Sequence, residues 1–364
     1  MGTVLLLTGL GSIMVMPIVG KLCDRCSNCS VLSVCAPAAA LCLLTPAAAR
    51  GYSDLLAAGL LVGAGLGALD VSMNAQAVLV ERAAGRPLMS GFHGVWSLGA
   101  VAGGAAVAAG LGSGIGLRML LCVAGPLCAV LFTGPLLLTR VPVGGAAVEA
   151  TPPNHADHHP LPGQLVTLLG LLAMAGFVCE GVGYSWAVLH ATRDVHAPPA
   201  TASLVYTAFV AALTCSRLVG DRVRAGLGAR RGIALAGTTA GMGYFLVLMA
   251  PSLPTWGLVA EFAGWTVVGL GLATVVPTLI STAGSGTGEV GRALSQVTTL
   301  AYVGSLAGPA LVGLVADQSS LTAALVLPAV LALAISVLGP PVMRRVSAVI
   351  KSADAIPPVD TVAP

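Results

Sequence analysis

The sequence predicts an all-α polytopic membrane protein made of two related helical bundles. Three observations point there: eleven long apolar stretches, one long polar break dividing five of them from six, and a short Gly/Asp/Arg turn that recurs 197 positions later. A helix crosses a hydrocarbon core about 30 Å thick with roughly 20 residues. With 56% hydrophobic and 9% charged residues and a mean hydropathy of +0.94, the chain is far more apolar than a soluble domain. A net charge of +3, with basic residues scattered over short loops, excludes a nucleic-acid surface. Of its 17 basic residues only Lys21 and Lys351 are lysines.

Apolar runs bounded by charges, Gly or Pro lie near 2–19, 30–49, 54–79, 90–112, 116–138, 163–189, 200–219, 231–250, 255–280, 293–316 and 320–343. The first has no basic start and exceeds a signal-peptide core, so it reads as a span. Thr139 to Pro162, with Pro152, Pro153, His155, Asp157, His158, His159 and Pro160, has nothing to bury and reads as a linker. The expected organisation is an amino-terminal bundle over 1–138, a cytoplasmic linker over 139–162, a six-helix bundle over 163–343 and a cytoplasmic tail over 344–364.

Cationic loops stay on the cytoplasmic side. Placing Lys21 and Arg25 there puts 14 basic residues inside, Arg217, Arg222 and Arg224 among them, against Arg50, Arg118 and Arg193 outside. The carboxyl terminus is then cytoplasmic. The two halves also match in order. GKLCDRCSNC (Gly20, Asp24, Arg25) pairs with RLVGDRVRAGLGARR (Arg217, Asp221, Arg222) at an offset of 197; GLGALDVSMN with GLGLATVVPT at 204; SLGAVAGG with VGSLAGPALVG at 205. Three ordered matches at nearly constant offset indicate duplication.

Acids inside spans are costly unless paired or hydrated, so Asp70, Glu180 and Glu261 are functional candidates. Gly63, Gly67, Asp70 and Asn74 share one helix face, where Asp70 could exchange a proton and Asn74 bond a hydroxyl; the bland alternative is an interhelical packing pair. Glu180 is the first choice for proton coupling, with Tyr184 and Trp186 available to stack on a ring, or to mark the interface. Glu261 and Trp265 repeat the acid-plus-aromatic pairing, either in the pathway or as a hydrated mouth. His93, at the cytoplasmic start of the fourth span, could relay protons or simply cap a helix end. Gly20, Asp24, Arg25, Arg217, Asp221 and Arg222 form the repeated turns, where acid and arginine could link the bundles and hold one access state. Cys23, Cys26 and Cys29 have metal-like spacing but no nearby fourth ligand, and His155, Asp157, His158 and His159 sit on a linker; metal is the minor reading for both. Gly308-Pro309 and Pro277 read as bends. GxxxxGK[ST], HExxH and GxSxG signatures do not occur, so no cofactor and no catalytic activity are expected.

A Gly followed by Asp-Arg on the turn after a half's second helix resembles the loop motif of the major facilitator superfamily, whose transporters have two six-helix halves around a midplane cavity. DVSMNAQAVLVERAAGRPLMSGFHGVWSLGA (Asp70 to Ala100), EGVGYSW (Glu180 to Trp186) and GLGLATVVPTLISTAG (Gly269 to Gly284) resemble its MosC/YbjJ-like branch, related to sugar and polyol symporters. The resemblance covers essentially the whole chain. It implies that the family's first helix is missing ahead of residue 1, and that an acid expected before Trp186 is replaced by Ser185. It further implies a monomeric, proton-coupled secondary transporter of a small polar solute, set in the cell membrane of a prokaryote, with substrate, protons and membrane lipid as partners. The fourth span lacks the antiporter proline, which favours symport. A drug or metabolite exporter, an inactive truncated transporter and a membrane-embedded enzyme are the alternatives.

Overall fold

The structure, a computed structural model, describes residues 2–138, 160–286 and 289–354. Residues 139–159 of the expected linker and 355–364 of the expected tail lie outside the described residues, His155, Asp157, His158 and His159 among them. The described residues are nearly all helical, the outcome expected where no water is available and each backbone amide must be satisfied within its own segment. Six helices come first: α1 (Gly2–Arg25), α2 (Asn28–Cys42), α3 (Leu44–Ala48), α4 (Tyr52–Ala84), α5 (Met89–Gly112) and α6 (Leu117–Leu138). Seven follow: α7 (Gly163–Arg193), α8 (Pro199–Met249), α9 (Gly257–Leu272), α10 (Val275–Ala283), α11 (Val290–Gln318), α12 (Leu321–Ala324) and α13 (Val326–Asp354).

Ten helical stretches among the described residues are long and apolar enough to cross a membrane, against the eleven expected. The difference lies in α8, 51 residues long, where Gly228 adopts φ 75° and ψ 162°. Phe209 and Tyr244 both stack on Trp265, with centroids 5.9 and 5.7 Å away, although an unbroken helix would separate them by roughly 50 Å. The chain therefore folds back at Gly228, a positive-φ position that only glycine takes without strain. The break falls beyond the apolar run because intrahelical hydrogen bonding does not stop where hydropathy does. Pro277 also does less than expected: it sits in the first turn of α10, after a break at Ala273 and Thr274, where a missing N–H leaves nothing unpaired.

Small residues let these helices approach closely, as membrane helices do without a hydrophobic drive between them. Gly63 of α4 lies directly on the Thr8 backbone of α1, and Gly11 of α1 on the Leu60 carbonyl, so a methyl group at either position would collide with main chain. Between the two halves, α1 packs on α11 and α5 on α8. One apolar core joins the halves at the end carrying the repeated turns, with Met16, Val78 and Met89 packed among Leu279, Leu294 and Val346. A second core, around Phe209, Tyr244 and Trp265, belongs to the second half alone. By contrast α5 is exposed at every position from Leu98 to Val107.

Candidate functional site: a central cavity and two crossed helix caps

A cavity of about 430 Å³ lies between the halves, walled by α4, α5, α7, α8, α10 and α11. Its polar wall is an ion pair. Arg217 donates from Nη2 to both carboxylate oxygens of Glu180, at 2.9 and 2.8 Å, and from Nη1 to Ser97 Oγ at 3.0 Å. Tyr184 adds an O–H bond to Glu180 Oε1 at 3.2 Å, and Ser90 Oγ donates to the Arg217 carbonyl at 2.8 Å. The pair is buried, with Glu180 8% and Arg217 3% exposed. Such a charge-assisted contact is stronger than a neutral hydrogen bond, and here it ties α7, α8 and α5 together.

Asp70, His93 and Tyr302 line the same cavity. Among the described residues Asp70 has no ion-pair partner, and the buried Nε2 of His93 has no hydrogen-bond partner. Asn74 Nδ2 donates to the Asp70 backbone carbonyl at 2.9 Å. Gly63 and Gly67 on the same face meet α1. The cavity thus holds one compensated acid and one uncompensated one.

The expected site residues divide into three groups. Asp70, His93, Glu180 and Tyr184 come together in the cavity. Arg217, placed by sequence in the cytoplasmic turn, is corrected to the cavity wall, because an acid at that depth needs a buried countercharge. Trp186 is directed away, its Nε1 donating to the Pro309 carbonyl on α11 at 3.2 Å. Glu261 and Trp265 are both 0% exposed inside the second-half core, which corrects the reading of Glu261 as a hydrated mouth residue. Sequence reasoning missed Ser97, Tyr302 and His190; for His190 the usable signal was an uncancelled acid, Glu261, with no partner on its own helix.

At the end carrying the repeated turns, Asp24 accepts bonds from the Gly291 and Arg292 amides of α11 at 2.6 and 2.8 Å. Asp221 accepts from the Ser90 and Gly91 amides of α5 at 2.9 and 2.6 Å. Each half's acid therefore caps a helix of the other half, where unpaired amides and the positive end of the dipole favour an anion. Glu81 reinforces the second cap, accepting from Leu88 and Met89 amides at 2.7 and 2.8 Å and from Ser281 Oγ, with Arg224 at 3.4 Å. Arg25 and Arg222 make no ion pair among the described residues: at Asp24 and Asp221 the expected acid–arginine link is replaced by acid–amide links, and Glu81–Arg224 is an acid–arginine pair that does cross the halves there. Gly20 lets α1 lie directly against Gly291 and Ser295 of α11. Cys23 is buried here while Cys26 and Cys29 are exposed; no metal-binding cluster occurs among the described residues.

Two helical bundles, a polar cavity between them and apolar spans throughout define a multi-pass membrane transporter. No family model matches the sequence. The chain is 32% identical over 329 residues to an uncharacterized MFS-type transporter of Yersinia pestis, covering 89% of this chain and 82% of that one. It is 30% identical over 358 residues to an uncharacterized transporter of Sinorhizobium fredii (93% and 88%), and 30% identical over 284 residues to the membrane protein MosC of Rhizobium meliloti (76% and 65%). Among solved structures it shares its fold with the transporter FucP in the outward conformation, at a TM-score of 0.65, 15% identity and coverage of 95% and 89%. A second likeness is to the human organic anion transporter MFSD10, at 0.61, 17%, 96% and 83%. The chain belongs to the major facilitator superfamily.

Proposed function

We propose that this protein moves a small polar solute, sugar- or polyol-like, across the cell membrane by alternating access coupled to protons. The observation that carries the reading is the cavity: an uncompensated Asp70 and His93 share it with a Glu180–Arg217 pair and Tyr184. Hydroxyl groups can bond to that pair and to the tyrosine, and an aromatic wall suits the apolar face of a ring. Asp70 takes the coupling role that sequence assigned to Glu180, since Glu180 already has its cation. One neighbour in fold is a fucose:proton symporter, which agrees with the reading without carrying it. The crossed caps close the end that the positive-inside rule makes cytoplasmic, so the cavity faces outward and the carboxyl terminus lies inside. The chain acts as a monomer surrounded by lipid, with the solute and protons as its partners.

The test is uptake into proteoliposomes from a panel of radiolabelled sugars, polyols and drugs under an imposed pH gradient. A sugar or polyol should accumulate; Asp70→Asn should abolish gradient-driven uptake while leaving solute exchange at zero gradient. Gradient-driven uptake that survives Asp70→Asn overturns the coupling role, and a response to drugs alone overturns the substrate class.

A further inference from the structure

Outside the cavity, the second half holds a line of titratable groups that the transport reading does not use. Glu261 is wholly buried on α9, and its Oε1 accepts the Trp265 indole N–H at 2.9 Å and lies 2.9 Å from His190 Nδ1 on α7. The second carboxylate oxygen, Oε2, is buried with no hydrogen-bond partner among the described residues. His190, also 0% exposed, points Nε2 at Thr322 Oγ1, 3.1 Å away on α12. Thr322 in turn bonds Asp194, both through Oγ1 and through its amide at 3.0 Å. Asp194 follows the end of α7, and its side chain is 19% exposed. From α8, Tyr244 faces Trp265 and gives its hydroxyl to the Cys179 carbonyl.

Hydrogen-bond bookkeeping ties the polarity of this line to Asp194. An ionised carboxylate only accepts, so with Asp194 in that form the Thr322 hydroxyl donates to it and the Thr322 oxygen accepts a proton-bearing Nε2. One further proton is then shared between His190 Nδ1 and Glu261 Oε1, and the pair as a whole is neutral. We propose that the His190–Glu261 pair is a second proton-binding site, loaded through Thr322 and Asp194 from the end of the molecule opposite the repeated turns. The α7 helix sets that polarity: Gly163 at its start lies beside Glu289 and Arg292, at the closed end, while Asp194 lies 31 residues further along, roughly 45 Å at helical rise.

Unloading balances in three moves. The Nε2–H bond of His190 breaks as Thr322 Oγ1 takes that proton; Thr322 passes its own proton to a carboxylate oxygen of Asp194; Asp194 releases it to water. Afterwards Thr322 donates to Nε2, Nδ1–H donates to Glu261, and Glu261 carries one negative charge held by His190 and Trp265. Loading reverses each step.

The inference rests on the proton-coupled reading only for its use in transport; occupancy of the site is measurable with no solute present. Trp265 reports it directly, because its N–H bonds the carboxylate of the pair whose total charge changes. In purified full-length protein with Trp96, Trp186 and Trp256 replaced by Phe, a pH jump should change Trp265 emission, and Glu261→Gln should remove the change. Asp194→Asn and Thr322→Val, which sit at the outer end of the line, should keep the amplitude and slow the relaxation about tenfold or more, as removal of a proton-transfer group does. A pH-insensitive Trp265, or a response that persists in Glu261→Gln, overturns the site; unslowed relaxation in both outer variants overturns the route. Either result leaves the Asp70 experiment untouched.

Discussion

At the scale of single residues, Glu180 and Arg217 set the character of the cavity. Breaking a buried pair from one side leaves an uncompensated charge, at a cost of about 3–5 kcal/mol. Glu180→Gln should therefore lower thermal stability of the detergent-purified protein sharply, whereas Asp70→Asn, which removes an acid without a countercharge, should leave it near or above wild type. Equal melting temperatures for the two variants would show that the pair contributes nothing. Asp70 and Glu180 are legible in the sequence because an acid stands out within an apolar run. Arg217 is not, because its role depends on a partner 37 positions away on another helix, and hydropathy counts any arginine near a span's end as an anchor. For the same reason Glu261 was legible as a candidate and its His190 partner was not.

At the scale of elements, the repeated turns work through helix ends. Asp24 satisfies two amides at the start of α11, and losing such a cap typically costs about 1 kcal/mol. Cys23, only 8% exposed, lies against Gly291 in the same seam. With the other eight cysteines replaced by Ser, Asp24→Ala should raise labelling of Cys23 by a membrane-permeant maleimide several-fold, by roughly the factor that 1 kcal/mol implies. Labelling that stays at the wild-type rate would show that the cap does not hold the seam. The turns themselves were readable from the repeat of Gly and Asp-Arg. What the acids bind was not, because backbone amides leave no mark in a sequence. The same limit explains α8: arginines 222, 224, 230 and 231 look like a loop, yet helix continues past the apolar run until Gly228 turns it.

At the scale of the molecule, duplication was legible in three ordered matches, and the structure gives it mechanical form. The first half's acid caps α11 and the second half's acid caps α5, on the two contacts where α1 meets α11 and α5 meets α8. If the halves part as rigid bodies, both caps break in one motion and their free-energy losses add. Asp221→Ala, on the far contact, should therefore also raise Cys23 labelling several-fold, and the double variant Asp24→Ala/Asp221→Ala by the product of the two single effects. An Asp221→Ala rate equal to wild type would mean that the seam opens by local fraying instead of by moving bodies. Because both contacts must part for the halves to move as bodies, one engineered cross-link on either side should arrest the complete cycle, and slow turnover should yield to loosening either side.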